Sequence, residues 1–377
     1  MKPRPMRSIY PALATRLSGL LTHLGVGPYA FDDTVGLVSP LLRVHRLQAR
    51  VVERVAETAS ACTLVLQAGS AFPGVVPGQH MAVTVEIDGV RHRRSYSPRP
   101  VDGRRDRLAI TVQRQPGGRV SGWLTERTRV GDVLELGLPG GDFVLPDPAP
   151  PALLMVAGGS GITPGYAMLQ WLREHAPRTQ VTLIYFARSR GDRIFAGELE
   201  RLSDAWRALR YAPIDSLANV GPADRGGRVL DRALLDTCEP RWMSLPAWCC
   251  GPAPLMDTAR RIWAEAGAAD RLHTESFGAR PAVGDAARRH HVSLLQPHGL
   301  ANRFEATQAT SLLEAAEAAG HAPKHGCRQG ICHECTCRLE SGSVVDLTTG
   351  QRLDGEGQSI RLCVSAAMSD VTLAAAP

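Results

Sequence analysis

The chain has 377 residues, 44% hydrophobic and 21% charged, with 37 glycines and 27 prolines. That is enough for two or three domains with real cores, and it excludes a mainly disordered or collagen-like protein. The net charge of +6 is carried by arginines, since only Lys2 and Lys324 are lysines; scattered basic residues among few aromatics (5%) argue against a nucleic-acid partner.

Residues 1–45 read as an N-terminal helical arm. No apolar run approaches the roughly 20 residues needed to span a bilayer, and Arg16 and His23 break the stretch Tyr10–Phe31 where a secretory signal would lie. A cytoplasmic protein is expected, its arm packed on the body or, alternatively, in peripheral contact with a membrane surface or partner. Residues 46–147 read as an antiparallel β-barrel. The β-branched, alternating runs Arg50–Val55, Thr63–Gln67, Met81–Ile87 and Leu108–Gln113 are separated by Pro/Gly breaks. The run Pro146–Pro151 is a linker.

Residues 148–280 change texture. Short apolar runs at Ala152–Ala157, Val181–Ala187 and Trp248–Cys250 alternate with helical stretches at Gly165–His175, Glu198–Leu209 and Leu255–Ala266. Such alternation predicts an α/β domain on a parallel sheet. Residues 281–288 form a second linker. Residues 289–377 open with a hairpin, His291–Leu295 and Arg303–Gln308 around a turn at Pro297–Asn302. A capping box at Ser311–Glu314 then starts a short helix that stops at Gly320. This last segment carries 7 basic and 9 acidic residues, net −2, on a body of net +8.

Five of the nine cysteines fall between Cys327 and Cys363. Cys327, Cys332 and Cys335 have the spacing C-x4-C-x2-C, with Cys363 as a distant fourth, which is the plant-type [2Fe–2S] pattern. Two irons need four thiolates, and Gly326 and Gly330 let the loop turn tightly. A zinc site usually wants two C-x2-C knuckles, and one is present. Cys337, Cys62 and Cys238 read as packed thiols and His333 as loop surface. Over about 85 residues the segment resembles the plant-type ferredoxin family, which implies an α+β β-grasp fold and one-electron transfer.

Arg94-Ser95-Tyr96-Ser97 follows a predicted strand, and Gly117-Gly118-Arg119-Val120-Ser121 precedes a helical stretch. An arginine fork and free N–H groups at a helix start both bind phosphate. With a nucleotide-type segment next, residues 46–278 resemble the ferredoxin–NADP reductase superfamily. The resemblance implies that Arg94 faces a flavin diphosphate, that Tyr96 and Ser97 face the isoalloxazine, and that Gly118, Val120 and Ser121 close on the phosphates. FAD is the expected flavin, with FMN the alternative.

Gly158-Gly159-Ser160-Gly161-Ile162-Thr163-Pro164 follows the first apolar strand. Small residues there let the backbone approach a pyrophosphate; Thr163 can cap the next helix and Pro164 suits its first turn. The resemblance makes this the NAD(P) loop, with Gly158, Gly159, Gly161, Thr163 and Pro164 at the cofactor. Arg188, Ser189, Arg190 and Arg193, against Asp192 alone, favour the 2′-phosphate of NADPH over NADH. Cys250-Gly251-Pro252 and Glu275-Ser276-Phe277 match the family's motifs at the nicotinamide. Ser97, Cys250 and Glu275 are therefore the expected catalytic residues, Cys250 packing at the reaction centre rather than acting as nucleophile.

The domain order with its arm looks like bacterial reductases that serve fatty-acid desaturases and alkane hydroxylases. The implied route is NADPH to FAD to [2Fe–2S] to a separate oxygen-activating partner. A ring-hydroxylating or steroid-hydroxylating oxygenase is the alternative acceptor. A redox-sensing protein without turnover is the alternative from another class.

Overall fold

The computed structural model describes residues 46–217, 228–277, 287–296, 301–326 and 333–375, together with 39, 41, 43, 328 and 330. Most of the expected N-terminal arm, most of the 281–288 linker, residues 297–300 of the hairpin turn, and Cys327 and Cys332 lie outside these residues. The chain divides into two compact units, Met1–Glu275 and Ser276–Pro377.

The first unit begins with seven antiparallel strands: β1 (Gln48–Thr58), β2 (Ala61–Ala68), β3 (Met81–Ile87), β4 (Val90–Tyr96), β5 (Pro98–Val101), β6 (Arg104–Gln113) and β7 (Val133–Leu136). Their order is β4-β3-β7-β1-β2-β6-β5. β4 and β5 end the sheet, so the expected barrel is a curled half-barrel open on one side. Its inner face buries Val51, Leu64, Leu66, Met81, Val83, Leu108 and Ile110. Helix α1 (Arg119–Glu126) packs its Val120 and Leu124 into that core. The Arg94–Ser97 motif follows the predicted strand β3 but is itself largely part of the next one: Arg94 lies within β4, in register with Val83. β4 (VRHRRSY) has no apolar pattern of its own and is held by its pairing to β3.

The second layer is a parallel sheet of β8 (Ala152–Gly158), β9 (Gln180–Ala187), β10 (Leu209–Asp215), β11 (Ala247–Cys250) and β12 (Leu272–Glu275), in the order β10-β9-β8-β11-β12. Helices α2 (Ile162–His175), α3 (Ala196–Ala205), α4 (Arg232–Cys238) and α5 (Ala253–Glu265) make the crossovers and flanks. β8 and β9 are buried along almost their whole length, as strands covered on both faces must be. The predicted helix to Leu209 ends at Ala205, because the chain turns there into β10, a half-exposed edge strand. The two layers touch directly. The Trp248 indole donates to the Val144 carbonyl (3.3 Å), and the Arg99 guanidinium lies over the Tyr166 ring.

The second unit holds β13 (Arg289–Leu295), β14 (Ala301–Thr307), β15 (Thr336–Ser341), β16 (Ser343–Asp346), β17 (Arg352–Asp354), β18 (Ser359–Arg361), β19 (Ser365–Ala367), β20 (Val371–Ala375) and helix α6 (Leu312–Ala318). The main sheet runs β14-β13-β20-β15-β18, with β13 and β20 parallel at its centre, which is the β-grasp arrangement. The capping box forms as predicted. Glu314 N–H donates to Ser311 Oγ (3.2 Å), and Ser311 N–H donates to the Glu314 carboxylate (3.1 Å). Leu312, Leu313 and Ala316 of α6 join Val292, Leu294, Leu339 and Leu373 in a core separate from those of the first unit.

Candidate functional site

At the flavin motif, Ser97 closes the turn between β4 and β5 and is buried. Its Oγ, like that of Ser95, finds no partner among the described residues. A buried hydroxyl without a partner calls for a bound group, and the polar edge of a flavin ring suits it. Tyr96 packs against the half-barrel core, and burial pushes its phenol up from the usual 10.0, so the hydroxyl stays neutral. Arg94 is half-buried and donates to the Arg93 carbonyl (2.7 Å). Gly118 is the N-cap of α1, and Ser121 Oγ accepts from Gln115 N–H (3.1 Å), bracing the turn whose free N–H groups suit a diphosphate. Val120 anchors that turn in the core.

The glycine loop leaves β8 as a short 3-10 turn, Gly159–Gly161, and enters α2. Thr163 does not cap this helix. The N-cap is Gly161, and Thr163 Oγ1 instead donates back to the Ser160 carbonyl (3.0 Å) from inside the first turn, which Pro164 shares. The glycines have a reason that spacing did not reveal: β8 and β11 are adjacent parallel strands, so the two loops at their ends meet. A Cβ on Gly161 would lie 2.1 Å from the Cys250 carbonyl oxygen, and one on Gly158 2.8 Å from the Pro252 ring. A Cβ on Gly251 would come 3.0 Å from Gly158 N. Gly159 has φ +54. Tyr185, fully buried on β9, ties this loop down. Its hydroxyl donates to the Gly159 carbonyl (3.1 Å) and accepts from Ile194 N–H (3.0 Å). Sequence reading missed it, because one tyrosine in an apolar run reads as a core aromatic.

The arginines beyond β9 are engaged within the protein. Arg193 is buried and donates through Nε and Nη2 to Asp215 Oδ1 (3.1 and 2.6 Å), so it braces β10. Arg188 and Ser189 share the Asp192 carboxylate (2.5 and 2.8 Å), and Arg190 reaches Glu200 (3.2 Å). Arg188, Ser189 and Arg190 are exposed at the end of β9, where a 2′-phosphate could draw Arg188 and Ser189 from Asp192.

Cys250 and Glu275 end β11 and β12 in register with each other. Both are buried. Burial, and then the neighbouring Glu275 charge, push the Cys250 thiol well above its usual 9.0. Burial also raises the Glu275 carboxyl above 4.5, and His80 pulls it part of the way back. His80 Nδ1 stands 3.2 Å from Glu275 Oε1, while Glu275 Oε2 has no partner among the described residues. His80 is itself fixed by a two-way backbone bridge to Gly140 (2.9 Å each way). This residue of the flavin layer thus orients a carboxylate of the nucleotide layer, and nothing in its sequence context signalled that role. Phe277 lies just past the unit boundary and is half-buried.

In the second unit, Cys335 precedes β15 and Cys363 sits in the 3-10 turn Leu362–Val364. Their sulfurs are 3.3 Å apart and buried. That is far beyond the roughly 2.05 Å of a disulfide, and it brings two soft ligands to one point as an iron of a cluster requires. Gly330 has φ +77, which its glycine permits. Cys337, Cys62 and Cys238 are buried, and His333 is exposed.

Family models match three consecutive stretches: an oxidoreductase FAD-binding domain over residues 48–145, an oxidoreductase NAD-binding domain over 155–261, and a 2Fe-2S iron-sulfur cluster binding domain over 295–368. The chain is 34% identical over 350 residues to an NADPH oxidoreductase of Mycobacterium tuberculosis, covering 92% of this chain and 89% of that one. It is 30% identical over 294 residues to a glycine betaine monooxygenase reductase subunit of Chromohalobacter salexigens, covering 71% and 78%. Among solved structures, phthalate dioxygenase reductase superposes with a TM-score of 0.61 at 27% identity, over 88% of this chain and 98% of that one. The cofactor set expected from the sequence, FAD, NAD(P)H and [2Fe–2S], agrees with these matches.

Proposed function

From the premise that the chain belongs to the ferredoxin–NADP reductase superfamily, in the form fused to a C-terminal plant-type [2Fe–2S] ferredoxin unit, and is an NAD(P)H-dependent oxidoreductase, we propose that it passes electrons from NADPH to a separate oxygen-activating enzyme. The observation that carries this is the buried Cys335–Cys363 pair in a unit fused behind flavin and nucleotide layers. When bound, the flavin takes electrons as a pair from the nicotinamide and gives them up singly, and the cluster carries one at a time.

The protein's own contribution is placement. Ser97 offers a hydroxyl to the flavin edge, and Gly118, Val120 and Ser121 shape a phosphate turn beside Arg94. Gly158, Gly159 and Gly161 bring backbone close to the nucleotide pyrophosphate. Cys250 and Glu275 sit where nicotinamide and flavin would meet, the carboxylate oriented by His80. Exposed Arg188, Ser189 and Arg190 support NADPH over NADH. The name of the mycobacterial relative, an NADPH oxidoreductase, points the same way.

The first reading of the acceptor is a fatty-acid desaturase or alkane hydroxylase, supported by the order of arm, flavin, nucleotide and ferredoxin segments. The second is a ring-hydroxylating oxygenase, favoured by likeness to phthalate dioxygenase reductase along nearly its full length. Among the described residues no helix is long and apolar enough to cross a membrane.

The test uses purified holoprotein with NADPH or NADH and two acceptors. NADPH should be the better donor. Cys363→Ser should abolish cytochrome c reduction while sparing most ferricyanide reduction. Equal loss of both, or no steady NADPH consumption by the wild type, would refute the electron route. Product analysis with a desaturase-bearing membrane fraction, or with a ring-hydroxylating oxygenase and its aromatic substrate, then decides between the acceptors.

A further inference from the structure

One arginine of the second unit joins two structures that its sequence position would not connect. Arg361 ends β18, two residues before Cys363. Its Nη1 donates to the Gly330 carbonyl (2.5 Å), in the middle of the cysteine loop, and its Nη2 donates to Asp346 Oδ2 (2.8 Å) at the end of β16. Asp346 is itself pre-set. Its Oδ1 accepts from Thr348 N–H (2.7 Å), Thr348 Oγ1 (2.5 Å) and Thr349 N–H (3.0 Å). Burial works against ionisation, but these bonds and the Arg361 charge outweigh it and hold the carboxyl below the usual 3.8. Gly330 is pinned from its other side as well. A Cβ there would come 2.8 Å from a methyl of Val364, the residue after Cys363. Leu347 N–H donates to the Val364 carbonyl (2.6 Å), closing the ring of contacts from Asp346 back to the turn that carries Cys363.

We propose that Arg361 and Asp346 form a charged clamp that positions the cysteine loop and sets the reduction potential of the cluster held by Cys327, Cys332, Cys335 and Cys363. The assignment rests on the cluster reading above. Arginine suits the task because its planar fork spans two acceptors at once, which an ammonium on a flexible stem does not. The electrical consequence is distinct from the mechanical one. A carrier that takes up an electron gains a negative charge, which a nearby cation stabilises and a nearby anion opposes. Arg361 and Asp346 compensate each other, so removing either leaves the other uncompensated beside the carrier. Their removal therefore shifts the potential in opposite directions, whereas a purely structural loosening of the loop would shift it the same way in both.

The experiment is potentiometry followed by electron paramagnetic resonance on the full-length wild type and on Arg361→Gln, Arg361→Lys and Asp346→Asn. Arg361→Gln should lower the potential and Asp346→Asn should raise it. Each should change the reduced-to-oxidised ratio at fixed potential at least about threefold, or about 30 mV for a one-electron couple. Arg361→Lys keeps the charge and loses the fork. Its potential should stay within half that shift, while its cluster is lost to an iron chelator at least about threefold faster than in the wild type. Should Arg361→Gln hold no cluster, a raised potential in Asp346→Asn together with faster chelator loss at near-wild-type potential in Arg361→Lys still decides. Shifts of the same sign, or none, overturn the clamp while leaving the cluster reading intact. A wild type without inorganic sulfide or the resonance of a reduced [2Fe–2S] centre overturns both.

Discussion

Replacing Gly161 by alanine isolates the meeting of the two nucleotide loops. Gly161 has φ −62 and ψ −9, ordinary helical values that alanine adopts freely. On backbone grounds alone the change should stabilise the protein by about 0.4–1 kcal/mol. The surroundings reverse that sign. The new Cβ would stand 2.1 Å from the Cys250 carbonyl oxygen, 2.4 Å from its carbon and 2.7 Å from Gly251 N. All three are backbone atoms at the end of a buried strand, so no side chain can swing away. Relief requires one loop to move by about 1 Å, and overpacking of this kind costs about 1–3 kcal/mol. The net loss should be about 1–2 kcal/mol, or a fall in Tm of roughly 3–6 °C for a unit of this size. Because the displaced atoms belong to Cys250 and Gly251, KM for NADPH should rise while flavin content stays at the wild-type level. Gly165→Ala is the control. It lies in α2, the helix that Gly161 caps, and its Cβ would meet only the Met155 sulfur at 3.8 Å, so this variant should be neutral or slightly more stable. Thermal scans, flavin absorbance and ferricyanide kinetics on both variants make the comparison. A Gly161→Ala protein with wild-type Tm and wild-type KM would refute the close approach of the loops.

Two further outcomes follow from buried polar groups. Tyr185→Phe removes the hydroxyl between Gly159 O and Ile194 N–H and leaves both without that partner, which should cost about 1–3 kcal/mol in urea unfolding and raise KM for NADPH. Glu275 has its carboxyl raised above 4.5 by burial, so the folded state holds its proton more tightly than the unfolded state does. Its contribution to stability is therefore full below about pH 4.5 and is lost as pH rises through the raised value. Glu275→Gln lacks that loss, so its stability relative to the wild type should climb between pH 4.5 and 8 in denaturant titrations. A constant difference would refute the burial of an ionisable carboxyl there.

Elements with a strong apolar signature were legible in the sequence. β3 was predicted at its observed bounds, and β8, β9 and β11 stood out as short apolar runs, because strands covered on both faces carry little else. β10 was not legible. It is an edge strand whose exposed and half-buried residues, Arg210 to Pro213, give neither an apolar run nor alternation. β4 was hidden for a related reason, its charged residues being held as a strand by β3 rather than by their own preference. At the site, motifs give residue types but not partners. The Cys335–Cys363 approach agrees with the spacing, since two thiols expected to serve one metal centre must converge. The His80–Glu275 pair could not, because those residues are 195 positions apart and only the packing of one layer on the other brings them together. Arg193 shows the converse. Its place after β9 suggested a phosphate, and its side chain turned inward to Asp215 instead.

The burial of Cys250 bears on how long such a carrier survives in air. Proteins that move electrons singly leak some of them to oxygen, and the peroxide that results attacks cysteine in its thiolate form. With burial holding its proton and closing its sulfur off from solvent, Cys250 is a poor target for that oxidant at the position proposed to face the nicotinamide. The packing that buries Cys250 would thereby also protect the proposed reaction centre.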